Sequence, residues 1–153
     1  MSELPYAGEE PFAYVSYARK DRNECILAIK HLHALGYRVF YDADIEEERL
    51  RAAESMIVLV SPCACDSDEV KDEIQLANKA NKDVLAIHLS EVDLYGTVGL
   101  LLDAADDVKK FRMKEAFYRQ RLEKGLDADI MREGVTPPPL PKEPDKVMPP
   151  KSK

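Results

Sequence analysis

Glycine is scarce in this chain, six residues in 153, and no glycine-rich loop follows any of its apolar runs. That absence removes a Rossmann dinucleotide site and a P-loop, since both need glycine where backbone N–H groups approach a phosphate. Long apolar runs are missing as well. No stretch reaches the roughly 18 residues of a membrane span, and Met1–Glu10 lacks the pattern of a signal peptide, so a cytoplasmic protein with no membrane partner is expected. Cysteine is sparse and odd in number: Cys25, Cys63 and Cys65 do not form a disulfide framework. Cys63 and Cys65 invite a zinc reading, but two more ligands are needed and His31, His33 and His88 show no ligand spacing, so no metal is expected.

Positive charge is also short. The formal net charge is −7, and the segment from Gly134 holds four Lys against one Glu and one Asp, which leaves −9 on the body. A body that acidic offers no footprint for a phosphate backbone, and nucleic acid is excluded as a partner. Proline, by contrast, is concentrated: seven of ten fall in the last seventeen residues. That stretch has few large apolar residues and reads as a disordered tail. The expected organisation is a lead-in over 1–10, one α/β domain over 11–126 and a Pro-rich tail over 127–153.

Within the body, strands and helices alternate. Phe12–Tyr17 is aromatic and β-rich after Pro11, and predicts a first strand. Asp21, with Glu24 three residues on, resembles a capping box opening a helix whose stripe is Ile26, Ile29, Leu32 and Leu35, ended by Gly36. Tyr37–Asp42 predicts a second strand and Glu46–Ala53 a short helix. Met56–Ser61 is the almost continuous apolar run of a strand buried on both faces. Asp66 or Ser67 caps a third helix carrying Val70, Ile74 and Ala77, followed by a fourth strand at Asp83–Leu89. Val108 and Phe111 suggest a fifth strand, and a last helix over 113–126 offers Ala116, Phe117 and Leu122 to the core.

This alternation predicts a flavodoxin-like, doubly wound parallel sheet of four to five strands in the order 2-1-3-4-5. Such sheets bind ligands beyond the carboxyl ends of the strands, at the switch point between the first and third. Fold alone names no function. The paired acids of a receiver domain do not end the first strand, and no serine nucleophile elbow is present. The edge instead offers Tyr17 and Arg19, Asp42 from the second strand, and Ser61, Ser67 and Glu73 from the third-strand side. On a helical wheel Glu73 lies roughly 60 to 70° from the Val70/Ile74/Ala77 stripe, a shoulder between core and solvent. Its acidic neighbours Asp66, Asp68, Glu69 and Asp72 suit a helix N-terminus, so spacing alone makes it one of a solvated set.

The segments FAYVSYARKD at 12–21, GYRVFYDADI at 36–45 and MIVLVSPCACDSDEVKDEIQLA at 56–77, in that order, resemble the Toll/interleukin receptor (TIR) domain family, particularly its small bacterial type. The resemblance implies two kinds of work. Some members associate with other TIR domains in immune signalling or bacterial defence; others cleave the nicotinamide–ribose bond of NAD+, which is then a substrate and not a bound cofactor. In the enzymatic branch a glutamate in the helix after the third strand is required, and the pattern from Ser67 to Ile74 gives that role to Glu73. Tyr17 and Arg19 would contact the dinucleotide, with Asp42, Ser61 and Ser67 beside them. The chain departs from the family between the second and third strands, where only residues 43–55 replace a long loop and full helix. A NAD+ glycohydrolase and a non-catalytic TIR interaction module, with another TIR domain or a second copy as partner, are both left open.

Overall fold

The computed structural model describes residues 11–41, 47–103, 105–126 and 130. Five strands and five helices alternate through them: β1 (Ala13–Ser16), α1 (Arg22–Ala34), β2 (Val39–Phe40), α2 (Glu47–Ala52), β3 (Ser55–Val60), α3 (Asp68–Lys79), β4 (Asp83–His88), α4 (Gly96–Leu102), β5 (Asp106–Lys109) and α5 (Glu115–Gly125). The sheet has the order β2-β1-β3-β4-β5, every neighbouring pair is parallel, and β1 and β3 adjoin at the switch point. This is the flavodoxin-like arrangement expected from the alternation.

The sheet separates two apolar layers. Along β1 and the residues that flank it, Ala13, Val15 and Tyr17 join Ile29, Leu32, Tyr118 and Leu122 on the face covered by α1 and α5. Phe12 and Tyr14 join Leu50, Val70, Ile74, Val98 and Leu102 on the face covered by α2, α3 and α4. The two-residue period of a strand makes this division, and it assigns each β1 side chain to a layer. All six residues of β3 are buried, as its central position demands.

Several elements differ from the sequence expectation in extent. The second strand, expected over Tyr37–Asp42, is only Val39–Phe40. It is an edge strand whose flanking backbone is committed elsewhere: the Tyr37 N–H donates to the Leu32 carbonyl at 3.2 Å and the Arg38 N–H to the Ile130 carbonyl at 2.7 Å. Ile130 is itself buried, so the body's contacts reach past residue 126. The capping box does not form. Asp21 makes no cap hydrogen bond; its carboxylate accepts from the Cys63 N–H at 2.7 Å, and Glu24 accepts from the Ser90 hydroxyl. In α5 the buried ring is Tyr118, and Phe117 is 42% exposed. Phe111 falls in a 3-10 turn after β5 and is exposed.

Gly36, between α1 and β2, has φ +107°, a conformation that a Cβ strains. Gly36→Ala should lower stability by about 1 to 2 kcal/mol, read as a lower urea midpoint with an unchanged slope.

Candidate functional site

The site begins with two hydroxyls on one face of β1. Tyr14 and Ser16 are two residues apart, so both point to the α3 side of the sheet. Opposite them, Ser67 caps α3, its hydroxyl oxygen accepting from the Val70 N–H at 3.2 Å, and this sets the rotation of the helix. Glu73, in its second turn, is wholly buried. The Tyr14 hydroxyl donates to Oε2 at 2.6 Å and the Ser16 hydroxyl to Oε1 at 2.7 Å. Arg19 then closes over the carboxylate, with Nη1 at 3.1 Å from Oε1 and Nη2 at 3.3 Å from Oε2. Glu73 is therefore not on the solvent shoulder of α3. Four donors satisfy it inside the layer, which is what a buried carboxylate needs.

Arg19 is the outer member of the cluster, with its side chain 17% exposed. Nη1 also donates to the Tyr17 carbonyl at 2.8 Å, and the guanidinium lies 4.7 Å from the centre of the Tyr17 ring. Burial works against its charge, but hydrogen bonding to Glu73 and that residue's negative charge outweigh it, holding the guanidinium above its ordinary value.

The remaining expected residues are dispersed. Tyr17 is buried on the α1 side, its ring edge-on to Tyr41 at 6.4 Å; burial, the largest influence, pushes its hydroxyl up. Ser61, just past the end of β3, is buried and faces Asp21 and Cys25, and among the described residues its hydroxyl has no partner within hydrogen-bond geometry. Ser67 serves the cap and donates to the exposed Glu69 at 3.1 Å. Asp42 lies outside the described residues. Tyr14 and Asp21 were missed as site residues, as was the role of Ser16. The signal for Tyr14 and Ser16 was the alternation of two hydroxyl-bearing residues at the carboxyl end of a strand facing an acid-bearing helix.

A cleft of about 310 Å³ lies beside the Arg19 cover, lined by Arg19, Lys20, Cys63, Ser67 and the carboxylates of Asp66, Asp68 and Glu69. Asp21 ties its two loops together. Burial would raise the Asp21 carboxyl, but the Ser61 side chain and the Cys63 N–H facing it hold it below its ordinary value. The neighbouring thiols are poor nucleophiles: Asp21 holds Cys63 up, and burial takes Cys25 to about 12. Among the described residues no group of three or more His, Cys, Asp or Glu could share a metal ion, and no helix is long and apolar enough to cross a membrane.

The family profile for the TIR domain matches residues 14–122. The chain belongs to the TIR domain family. The match covers every strand but the first residue of β1, and it includes Tyr14, Ser16, Arg19 and Glu73. No curated protein matches the sequence closely enough to count as a relative. Membership makes this TIR domain a signalling or defence module in general terms, and its parallel sheet and helices are those of the family's fold.

Tyr14→Phe and Ser16→Ala each remove one donor from a buried carboxylate and should each cost about 2 kcal/mol of stability in urea titrations. For Asp21 the folded value is depressed, so its contribution is present above the unfolded value of about 3.9 and is lost as pH falls through the folded one. Unfolding midpoints measured across acidic pH should therefore drop below about pH 4 in the native protein, and Asp21→Asn should lack that part of the drop.

Proposed function

We propose that this TIR domain acts in signalling or defence, and that its chemistry is cleavage of the nicotinamide–ribose bond of NAD+ with Glu73 as the catalytic carboxylate. The observation that supports this reading is the carboxylate itself, held at the switch point of the sheet and roofed by one side chain. Departure of nicotinamide leaves positive charge on the ribose, and the leaving group becomes neutral as it goes. One carboxylate suffices for such a reaction, where an ordinary glycosidase needs a second carboxyl group as acid. A negative group fixed beforehand beside the developing cation lowers the barrier without reorganising at the moment of reaction.

Tyr14 and Ser16 approach Glu73 from the strand side and can stay in place while substrate binds. Arg19 must swing outward, and its partial exposure and the adjoining cleft give it room. With the guanidinium displaced, the carboxylate opens toward the cleft, still oriented by two hydroxyls. The bond that breaks is between the ribose carbon and the nicotinamide nitrogen, whose electron pair leaves with nicotinamide; water then adds to the ribose carbon and gives up a proton.

A second reading, a non-catalytic interaction module, is favoured by the same cluster: four donors leave Glu73 no free acceptor position and no exposure. The short 43–55 connection favours it too, because it leaves little chain to close a pocket over substrate.

Glu73→Gln separates the two readings, since it keeps the shape of the side chain and one of its two acceptor oxygens while removing the charge. On the catalytic reading, nicotinamide release from NAD+ by purified protein falls by at least about 100-fold in this variant. Absence of release from the native protein, dilute or crowded, would leave the interaction module.

A further inference from the structure

The acidic body carries one face of the opposite sign. On α5, Lys114, Phe117, Arg121 and Lys124 recur at helical spacing and, with Arg112 and Met113, line a groove of about 440 Å³. The acids of the same helix point elsewhere: Glu115 lies 3.1 Å from His31 on α1, and Glu123 is felt by Tyr37 before β2. No carboxylate lines the groove, and among the described residues Arg112, Lys114 and Lys124 form no ion pair. Arg121 donates to a neutral acceptor, the Asp107 carbonyl. Arg112, Met113 and Lys114 lead directly into α5, whose first turn has no side-chain cap, so the N–H groups and the positive end of the helix dipole add to the field of the side chains there. In a body of net charge −9, four cations gathered without a counter-charge call for an anion.

The anion must also have an apolar, flat part. Phe117 is 42% exposed, and along the helix it stands between the Arg112/Lys114 end of the groove and the Arg121/Lys124 end. A volume of about 440 Å³ falls in the range of small-ligand pockets, roughly 300 to 1,000 Å³. We infer that the α5 groove binds a nucleoside polyphosphate, its base stacked on Phe117 and its phosphates held by the surrounding cations. An aromatic ring accepts the face of any base, and Gln120, which also lines the groove, brings an amide with both a donor and an acceptor for the polar edge of the base. Arginine meets phosphate oxygens through paired N–H groups and lysine as a point charge. The groove offers a metal ion no carboxylate ligand, so its part is recognition of the nucleotide and not transfer of a phosphoryl group.

Other occupants fit less well. The segment from residue 134 onward carries net positive charge and would be repelled by the groove. A nucleic-acid strand or an anionic bilayer would meet the cations but extend past them onto an acidic body, whereas a compact ligand touches the groove alone. Inorganic phosphate would leave Phe117 unused. The ligand is also distinct from a substrate at Glu73, because α5 covers one face of the sheet and α3 the other. The inference therefore does not rest on NAD+ cleavage.

The test is calorimetric titration of the full-length protein with ATP, a nucleotide that has no nicotinamide bond to cleave. Binding should saturate, and should weaken at least about tenfold between about 0.05 M and about 0.5 M salt, because screening shortens the reach of the cations. Lys114→Glu should weaken it at least about tenfold and Phe117→Ala at least about fivefold. Both positions are exposed, so the circular dichroism and urea midpoint of each variant should match those of the native protein, which separates a lost site from a lost fold. Arg51→Glu, on α2 in the other layer, makes the same change in net charge as Lys114→Glu and should leave the affinity within about twofold. No saturable binding at low salt would overturn the inference, as would tripolyphosphate binding as tightly as ATP, since the base would then contribute nothing. Binding that survives Lys114→Glu and is lost in Arg19→Ala would overturn it too, by moving the nucleotide to the cleft. So would capture of a peptide rich in Glu and Phe with no binding of ATP, which would make the groove a seat for an acidic protein segment.

Discussion

Moving a carboxylate out of water costs several kcal/mol unless donors meet each of its oxygens, and at Glu73 every donor comes from the first fifth of the chain. Tyr14 and Ser16 fix where β1 stands relative to α3, and Arg19 fixes the path of the loop that leaves β1. The strand, the helix and the loop are thereby locked into one arrangement at the switch point, on top of the apolar contacts that Val70, Ile74 and Ala77 make with the sheet. A buried ion pair is a poor way to gain stability, because an apolar residue of similar volume commonly does as well or better. Stability alone therefore does not account for a charge in this position, and the catalytic role proposed for Glu73 is one that would.

The fold was legible because its elements carry unmistakable periods. The five consecutive apolar residues Met56–Val60 of β3 and the Val70/Ile74/Ala77 stripe of α3 carry the clearest patterns, and strict alternation of strand and helix leaves few topologies. Boundaries blurred where tertiary contacts overrode local pattern. β2 is short because Arg38 turns its N–H to Ile130, a partner 92 residues away in sequence that no local window includes. Phe117 and Tyr118 exchanged roles because α5 is weakly amphipathic, and neighbouring aromatics differ by only about 100° on the wheel.

The site was legible in part. Glu73 and Arg19 both stand out in the sequence, but their contact with each other does not, since burial of a helix-borne acid depends on what the opposing strand supplies. The hydroxyls of Tyr14 and Ser16 are that supply, and both sat in a segment whose aromatic, apolar character hid them. Ser67 shows the converse: a polar side chain beside the switch point is fully engaged by the helix it begins. Asp21 shows how a residue placed like a helix cap is claimed by a more distant donor, the backbone of Cys63, when two loops come together.

The Ile130 carbonyl has a consequence for the edge of the sheet. β2 is the outermost strand on its side, and an outermost strand with free N–H groups is a template on which another chain can pair. By accepting from Arg38, Ile130 blunts that edge, so a version of the protein cut at residue 126 would expose a main-chain donor next to the apolar Val39 and Phe40. Truncation chosen to remove the proline-rich segment would thereby create a new sticky border, and aggregation seen in such a fragment would report on the cut and not on the native molecule.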